Sequence, residues 1–431
     1  MDTLHRCCAG LDVHKDSVFA CLRRLLANDE VVEEVRRFGT TTAELLALLD
    51  WLLAAGVPIV AMESTGVYWK PVFNILEGHV RVLLVNAEHI KQVEGHKTDA
   101  GDCAWIAQLL QHGLLRPSFV PERPVRELRD LTRQRTQLTG ERSAAANRIQ
   151  KVLEDANIKL GSVASDVLGV SGRAMLAELI EGRDDPETLA QQARGRLRAK
   201  IPQLREALRG RVTEHHRFLL RLHLDHLAHL DGLMERLTER IDSLLFPGPS
   251  EPGPGGTASA GEGSGPAAGA ADAPGADPSR GGEAAAGSGA LGQAVERLMT
   301  VPGVSRRTAE VVIAEIGADM GKFPTARHLA SWAGLCPGNH ESAGKRYRGT
   351  VRRGNRWLKQ ALVQAAWAAS RCKGGYLPAL YRSLAGRRGR KRALIAVAHA
   401  LLLTCYHLLS KGEDYRDPLE DSGQQTLAGV A

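Results

Sequence analysis

The chain has 431 residues, 43% of them hydrophobic and 24% charged. That is enough apolar material for two or three folded domains and excludes a disordered or fibrous chain. The formal charge of +7 is unevenly spread: Ser342 to Lys411 holds sixteen Lys or Arg and no Asp or Glu, while the remainder carries 40 basic and 49 acidic residues. An acid-free block of that length points to a polyanionic partner, most simply nucleic acid.

The opening MDTLHRCCAG has no basic stretch followed by an apolar core, so no signal peptide is expected. CAGLDVHKDSVFACLRR predicts a hairpin of two strands, Thr42 to Ala55 a helix, and VPIVAMES and VRVLLVN two more strands. Strands interleaved with helices give an α/β layer fold. Helical patterns follow from about Pro124 to Leu160 and from about Pro202 to Leu245. In the second, Leu227, Leu230, Met234, Leu237, Ile241 and Leu244 form a heptad seam. Its charged flanks favour a coiled coil between chains over a helix packed within its own domain. From Pro247 to Ala290 the chain is almost all Gly, Ala, Pro and Ser, which predicts a disordered linker. Short amphipathic helices resume from Leu291 to Lys411. The longest apolar run, Leu394 to Leu409, contains His399 and His407 and falls short of a ~20-residue membrane span, so a buried helix is expected and no membrane. Seven cysteines without a C-x-x-C pair argue against disulfides and zinc and fit a reducing cytoplasm. The expected organisation is an α/β domain over 1–122, a helical coiled-coil region over 123–246, a linker over 247–290 and a basic all-α domain over 291–431.

Four acids stand out by position. Asp12 lies inside the first strand, where burying a carboxylate has a cost. Glu63 ends the strand IVAME, and Asp99 and Asp102 sit at i, i+3 in KTDAGDCAWIAQLL, where Thr98 can cap a helix. Singly, Asp102 suits a helix dipole and Glu63 a surface strand end. Together they suit a four-carboxylate cage for two Mg²⁺ about 4 Å apart, in the order of the DEDD acids of RuvC-like, RNase H-fold nucleases. His14, Lys15, His96 and Lys97 flank them; they could orient phosphates, but solvated surface residues are the stronger reading.

In the C-terminal region LMTVPGVSRRTAEVVIAEIG resembles a helix-hairpin-helix, with Pro302 and Gly303 at the turn, where backbone N–H groups can hold a phosphate. An ordinary helix–turn–helix pair reads the same way. In GLCPGNHESAGKRYRGTVRRGNRWLKQALVQAAWAASR, glycines interleave with Lys345, Arg346, Arg348, Arg352, Arg353 and Arg356, a composition suited to close approach to phosphates. Ser342 opens that basic run; composition alone makes it a turn serine. A last cluster, including Arg387, Arg388 and Arg390, suits contact with a nucleic-acid backbone.

GLDVHK, AMESTGVYW, KTDAGDCAWIAQLL, VPGV, GLCPGNHESAGK and RRGNRWLKQALVQAAW, in this order, resemble the DEDD transposases of bacterial insertion sequences, the bridge-RNA-guided serine recombinases. The resemblance implies that Asp12, Glu63, Asp99 and Asp102 bind Mg²⁺ and that Ser342 attacks DNA to form a phosphoserine link. It also implies a dimer or tetramer with an active site composed between subunits, and a structured guide RNA from the element that pairs with donor and target DNA. Arg129, Arg133, Arg135, Arg142 and Arg148 would suit RNA backbone binding or a solvated helix equally. The 247–290 tract is longer than the family pattern leads one to expect. Two rivals stand beside this reading: a RuvC-like nuclease of the Holliday-junction-resolvase type that uses water, and a non-catalytic nucleic-acid-binding protein.

Overall fold

The computed structural model describes residues 3–64, 66–86, 99–247, 279–336, 341–342, 345–346 and 354–419. Two units emerge, Met1–Val120 and Pro121–Ala431. The division falls two residues before the expected end of the α/β domain. The expected coiled-coil region and basic domain lie in one unit.

The first unit is a five-stranded mixed sheet in the order β3-β2-β1-β4-β5. Cys7–Val13 (β1), Ser17–Leu25 (β2) and Val31–Gly39 (β3) form an antiparallel meander. Ile59–Glu63 (β4) joins β1 in parallel, and Arg81–Val85 (β5) joins β4 in parallel. This is a mixed sheet with interleaved helices, the α/β layer arrangement that the strand and helix patterns predict. The helices divide between the two faces. Thr42–Ala54 (α1) and Trp69–Leu76 (α2) bury Leu45, Leu48, Leu52, Val72 and Leu76 with Ala9, Leu11 and Val13 of β1. Asp99–Gln111 (α3) buries Ile106 and Leu110 with Cys8 of β1 and Ile59 and Ala61 of β4. Because side chains alternate along a strand, odd residues of β1 face α1 and even ones face α3.

In the second unit Arg123–Asp155 (α4) runs for 33 residues, about 50 Å at 1.5 Å per residue. Leu160–Val163 (α5), Val170–Ile180 (α6), Pro186–Ala190 (α7) and Ile201–Ala207 (α8) gather Met175, Leu176, Leu179, Leu189 and Leu204 around Ile149 and Leu153 of α4. This gives the 161–198 segment, which carries no motif, a packing role. Glu214–Leu245 (α9) returns along α4, with Asp155 bonded to His216 at one end and Arg142 to Asp231 further along. The heptad seam is occupied within the chain: Leu227, Leu230 and Met234 are buried with Leu138 and Ala145 of α4. A period of 3.5 fixes that a partner helix exists, not which chain supplies it, and α4 is that partner. This corrects the preference for a coiled coil between chains.

Ser279–Met299 (α10) begins inside the tract expected to be linker, in its Ala-rich end; residues 248–278 of that tract lie outside the described ones. Arg306–Ile316 (α11), Ala326–Trp332 (α12), Arg356–Ala369 (α13), Tyr376–Arg388 (α14) and Arg390–Lys411 (α15) complete the unit. A two-residue ribbon, Glu341–Ser342 (β6) against Lys345–Arg346 (β7), lies between α12 and α13. By length and composition α15 is apolar enough to cross a membrane. Here it packs on α12, α13 and α14 through Val397, Leu401, Leu402 and Cys405, one buried side of a helix whose apolar stretch is 39% buried, where the sequence predicts a buried one.

Candidate functional site

Alternation decides where the strand acids go. Asp12 shares the α3-facing side of β1 with Cys8 and Gly10, and Glu63 shares that side of β4 with Ile59 and Ala61. Gly10 pairs with Ala61, so the two acids end neighbouring strands on one face. Gly10 also sets how close α3 comes: a Cβ there would lie 2.3 Å from the Cys103 carbonyl oxygen and 2.4 Å from the Ala107 nitrogen. With no side chain in the way, the first turn of α3, and Asp102 with it, comes down on the strand. Asp99 supplies the first residue of that helix; of it the structure describes the backbone alone.

The three described carboxylates share an electrostatic field. Asp12 is 7% exposed, and burial pushes its carboxyl above the usual range; Asp102 and Glu63 push the same way, against the pull of His14. His14 Nε2 lies 2.9 Å from Asp12 Oδ2, so it touches the site while its side chain stays 43% exposed. His96 and Lys97 fall outside the described residues. Among the described residues no three His, Cys, Asp or Glu side chains are drawn together tightly enough to hold a metal ion. The donor set, oxygen-only and mutually repelling, is nonetheless the kind a hard divalent cation takes.

Ser342 belongs to the other unit. It pairs with Lys345 across the β6–β7 ribbon, and Glu341 pairs with Arg346. Arg348, Arg352 and Arg353 lie outside the described residues. Arg356 opens α13 and stacks over Trp357, 4.5 Å from the ring centroid. Arg387, Arg388 and Arg390 are exposed around the α14–α15 corner.

Two expectations for nucleic-acid contacts change. Gly303, with φ of +86°, is in the turn between α10 and α11, but its open side faces protein: a Cβ would meet the Ala365 carbonyl oxygen at 2.6 Å. The Val304 N–H next to it donates to Val301 O. The Pro302–Gly303 turn thus docks on the end of α13. The arginines early in α4 also turn inward. Arg133 grips Glu315 of α11 with two bonds, of 2.7 and 2.8 Å; Arg129 donates to the carbonyls of Ala314 and Glu315; Arg135 pairs with Glu310; Arg142 pairs with Asp231. Glu310 and Glu315 are buried. Buried charge requires such pairing, but the partners lie about 180 residues apart in sequence, and no local pattern announces them. Arg148 alone of the five is exposed.

Similarity to known proteins follows the same division. A family model described as "Transposase", of the DEDD type, matches residues 9–158. A second, "Transposase IS116/IS110/IS902 family", matches 295–382. The "Probable family 20 transposase" of Pseudomonas aeruginosa is 32% identical over 126 residues, 28% of this chain and 37% of that protein. The "Transposase for insertion sequence element IS1111A" of Coxiella burnetii is 34% identical over 125 residues, 28% of this chain and 34% of its own. The chain thus spans about a third of the length of these curated relatives. The Thermus thermophilus RuvC structure aligns with 26% of this chain and 99% of its own at 13% identity, with a TM-score of 0.21. One transposase model lies over the strands and helix that carry the four acids, and the other over the helices that flank Ser342. The chain belongs to the IS116/IS110/IS902 family of transposases.

Proposed function

We propose that the chain is the DNA recombinase of an insertion sequence, cutting and rejoining strands through a phosphoserine intermediate guided by an RNA from the element. The observation that carries this reading is that Asp12 and Glu63 lie on the sheet face that α3 covers, with Asp102 of the first turn of α3 close enough for both Asp102 and Glu63 to raise the Asp12 carboxyl. Asp12, Glu63, Asp99 and Asp102 would hold Mg²⁺, and the metal would supply charge stabilisation for the attacking and leaving oxygens. His14 keeps the Asp12 carboxylate oriented through its 2.9 Å contact. In the proposed step Ser342 Oγ loses its proton and bonds to phosphorus; the bond from phosphorus to the leaving strand oxygen breaks, and that oxygen takes a proton. Phosphodiester energy is kept in the protein–DNA link, so rejoining needs no external energy source. Lys345, opposite Ser342 on the ribbon, and Arg346 next to it would neutralise the strand that arrives there. Assembly as a dimer or tetramer would let one subunit's acids meet another's serine.

The test is adduct trapping in cells that carry the gene, its noncoding flanks and a target DNA, with wild type, Ser342→Ala and Asp12→Ala compared on denaturing gels. A DNA-linked protein in the wild type, lost in both variants and accompanied by flank-derived RNA, is the expected result. Cut DNA with a free 5′ phosphate and no adduct would replace the reading with a hydrolytic RuvC-like nuclease. Nucleic-acid binding with no strand chemistry would leave a binding protein.

A further inference from the structure

Between α4, α11 and α13 lies a cleft of about 420 Å³ that the proposed chemistry does not use. Its size falls at the lower end of the roughly 300–1,000 Å³ found for small-molecule sites. Each helix contributes one face at helical spacing: Thr136, Thr139 and Ser143 from α4, Thr308 and Val311 from α11, and Trp357, Gln360 and Gln364 from α13. Arg135 and Arg307 bring positive charge.

The donors and acceptors are sorted. Thr136, Thr139 and Ser143 each donate their hydroxyl proton to a carbonyl one turn back in α4, at 2.8–2.9 Å, which leaves their oxygens as acceptors. Arg135 is only 4% exposed; it pairs with Glu310 through Nη2, while its Nη1 has no hydrogen-bond partner. An unsatisfied buried guanidinium N–H costs on the order of 1–3 kcal/mol. Glu310 leaves it so because it also accepts from Arg306. Beside it α11 begins, capped by Ser305 and carrying Arg306 and Arg307 in its first turn with no acid there. Helix dipole, Arg307 and the unfilled Arg135 donor therefore favour an anion in the cleft. On α13 the amides of Gln360 and Gln364 suit the edge of a heteroaromatic ring, beside the Trp357 indole, over whose ring Arg356 and Arg133 lie at 4.5 and 5.8 Å.

We infer that this cleft seats one nucleotide of an unpaired nucleic-acid strand, its phosphate toward Arg135 and Arg307 and its base toward Trp357, Gln360 and Gln364. The inference rests on the reading of the chain as one that acts on nucleic acid, and it gives the helical unit a strand-holding role separate from Ser342. DNA and RNA share this chemistry.

The test measures fluorescence anisotropy of the full chain with a 5′-fluorescein 20-mer as single-stranded DNA, single-stranded RNA and duplex DNA, across a sodium chloride series. Two variants avoid the buried ion pairs. Arg307→Gln removes one exposed cation. Gly140→Leu fills the cleft at a lining position where a Cβ meets nothing within 4 Å, so the helix keeps its fold, as its melting curve will confirm. Each variant should lower the slope of log K against log salt by about one and weaken single-strand binding several-fold. Loss confined to one single strand identifies the occupant as DNA or RNA. Wild-type affinity and slope in both variants, or a loss confined to duplex, overturns the cleft as the seat and leaves the recombinase reading standing. Absence of any binding by the wild type overturns both.

Discussion

Replacing Glu315 with alanine removes the carboxylate on which the arginines of α4 converge. Glu315 is fully buried and accepts from Arg133 at 2.7 and 2.8 Å and from Asn355 Nδ2 at 2.6 Å, with Arg129 Nε 3.3 Å away. Burial already depresses Arg129 to about 10, and Glu315 is the opposing influence that holds it up. Removing one member of a buried pair costs about 3–5 kcal/mol, because the remaining charge loses its partner without regaining water. Against a total stability of roughly 5–15 kcal/mol, Glu315→Ala is expected to unfold the helical unit at much lower urea in a titration followed by far-UV circular dichroism. Glu315→Gln should fall between, since the amide oxygen still accepts from one arginine. If Arg129 and Arg133 served RNA instead, Glu315→Ala would leave the midpoint almost unchanged and Arg133→Ala would lower RNA affinity. A loss under about 1 kcal/mol for Glu315→Ala refutes the structural role assigned here.

Gly10→Ala should lower the melting temperature and abolish the proposed strand cleavage together, since overpacking of about 1–3 kcal/mol lifts α3 and Asp102 off β1; a variant with normal melting and wild-type cleavage contradicts that placement. Burial pushes the thiols of Cys8 and Cys405 up to about 12, so iodoacetamide at pH 8 should label half-buried Cys7 and Cys372 first, read by peptide mass spectrometry. Partial burial alone would raise Asp231, but bonds from Arg142 and Arg173 outweigh it and hold the carboxyl below its usual range. Its contribution is therefore present above the unfolded carboxylate value and lost as pH falls through the lower folded one. Asp231→Asn should flatten the acid limb of the stability curve by a modest amount, because the pair is about a third exposed.

Sequence reasoning finds elements whose burial is periodic and local. The β1–β2 hairpin, α1, β4 and β5 are such elements, and all stand where their patterns put them. β3 escapes because VVEEVRRFG is an edge strand, exposed along all but its last two residues, with no apolar alternation to detect. α2 escapes because Pro71 stands in its first turn and the helix is only eight residues long. Among the acids, the i, i+3 pair was readable directly, whereas the shared face of Asp12 and Glu63 depends on the β1–β4 register, which two separate strands do not encode. The cleft was unreadable for the same reason: its three faces are periodic on three helices that nothing in the sequence links.

The acid-free block leaves a trace in the helical unit that bears on why it is basic. Among the described residues, no ion pair involves any base from Arg356 to Lys411, whereas the arginines of α4 are engaged by acids of α9 and α11. At the α14–α15 corner, Arg387 and Arg388 lie in a last helical turn, where cations are favoured. Arg390, Lys391 and Arg392 occupy the first turn of α15, with no acid there. Cations at a helix N-terminus oppose the dipole by about 0.3–1 kcal/mol each at low salt. These three bases therefore act against the fold, a placement that a polyanion at the corner would make useful. Arg390→Glu with Lys391→Glu should raise the melting temperature at low salt while weakening DNA binding and reducing its salt slope. A double variant that melts lower, or that binds DNA as the wild type does, would show that the corner serves packing instead.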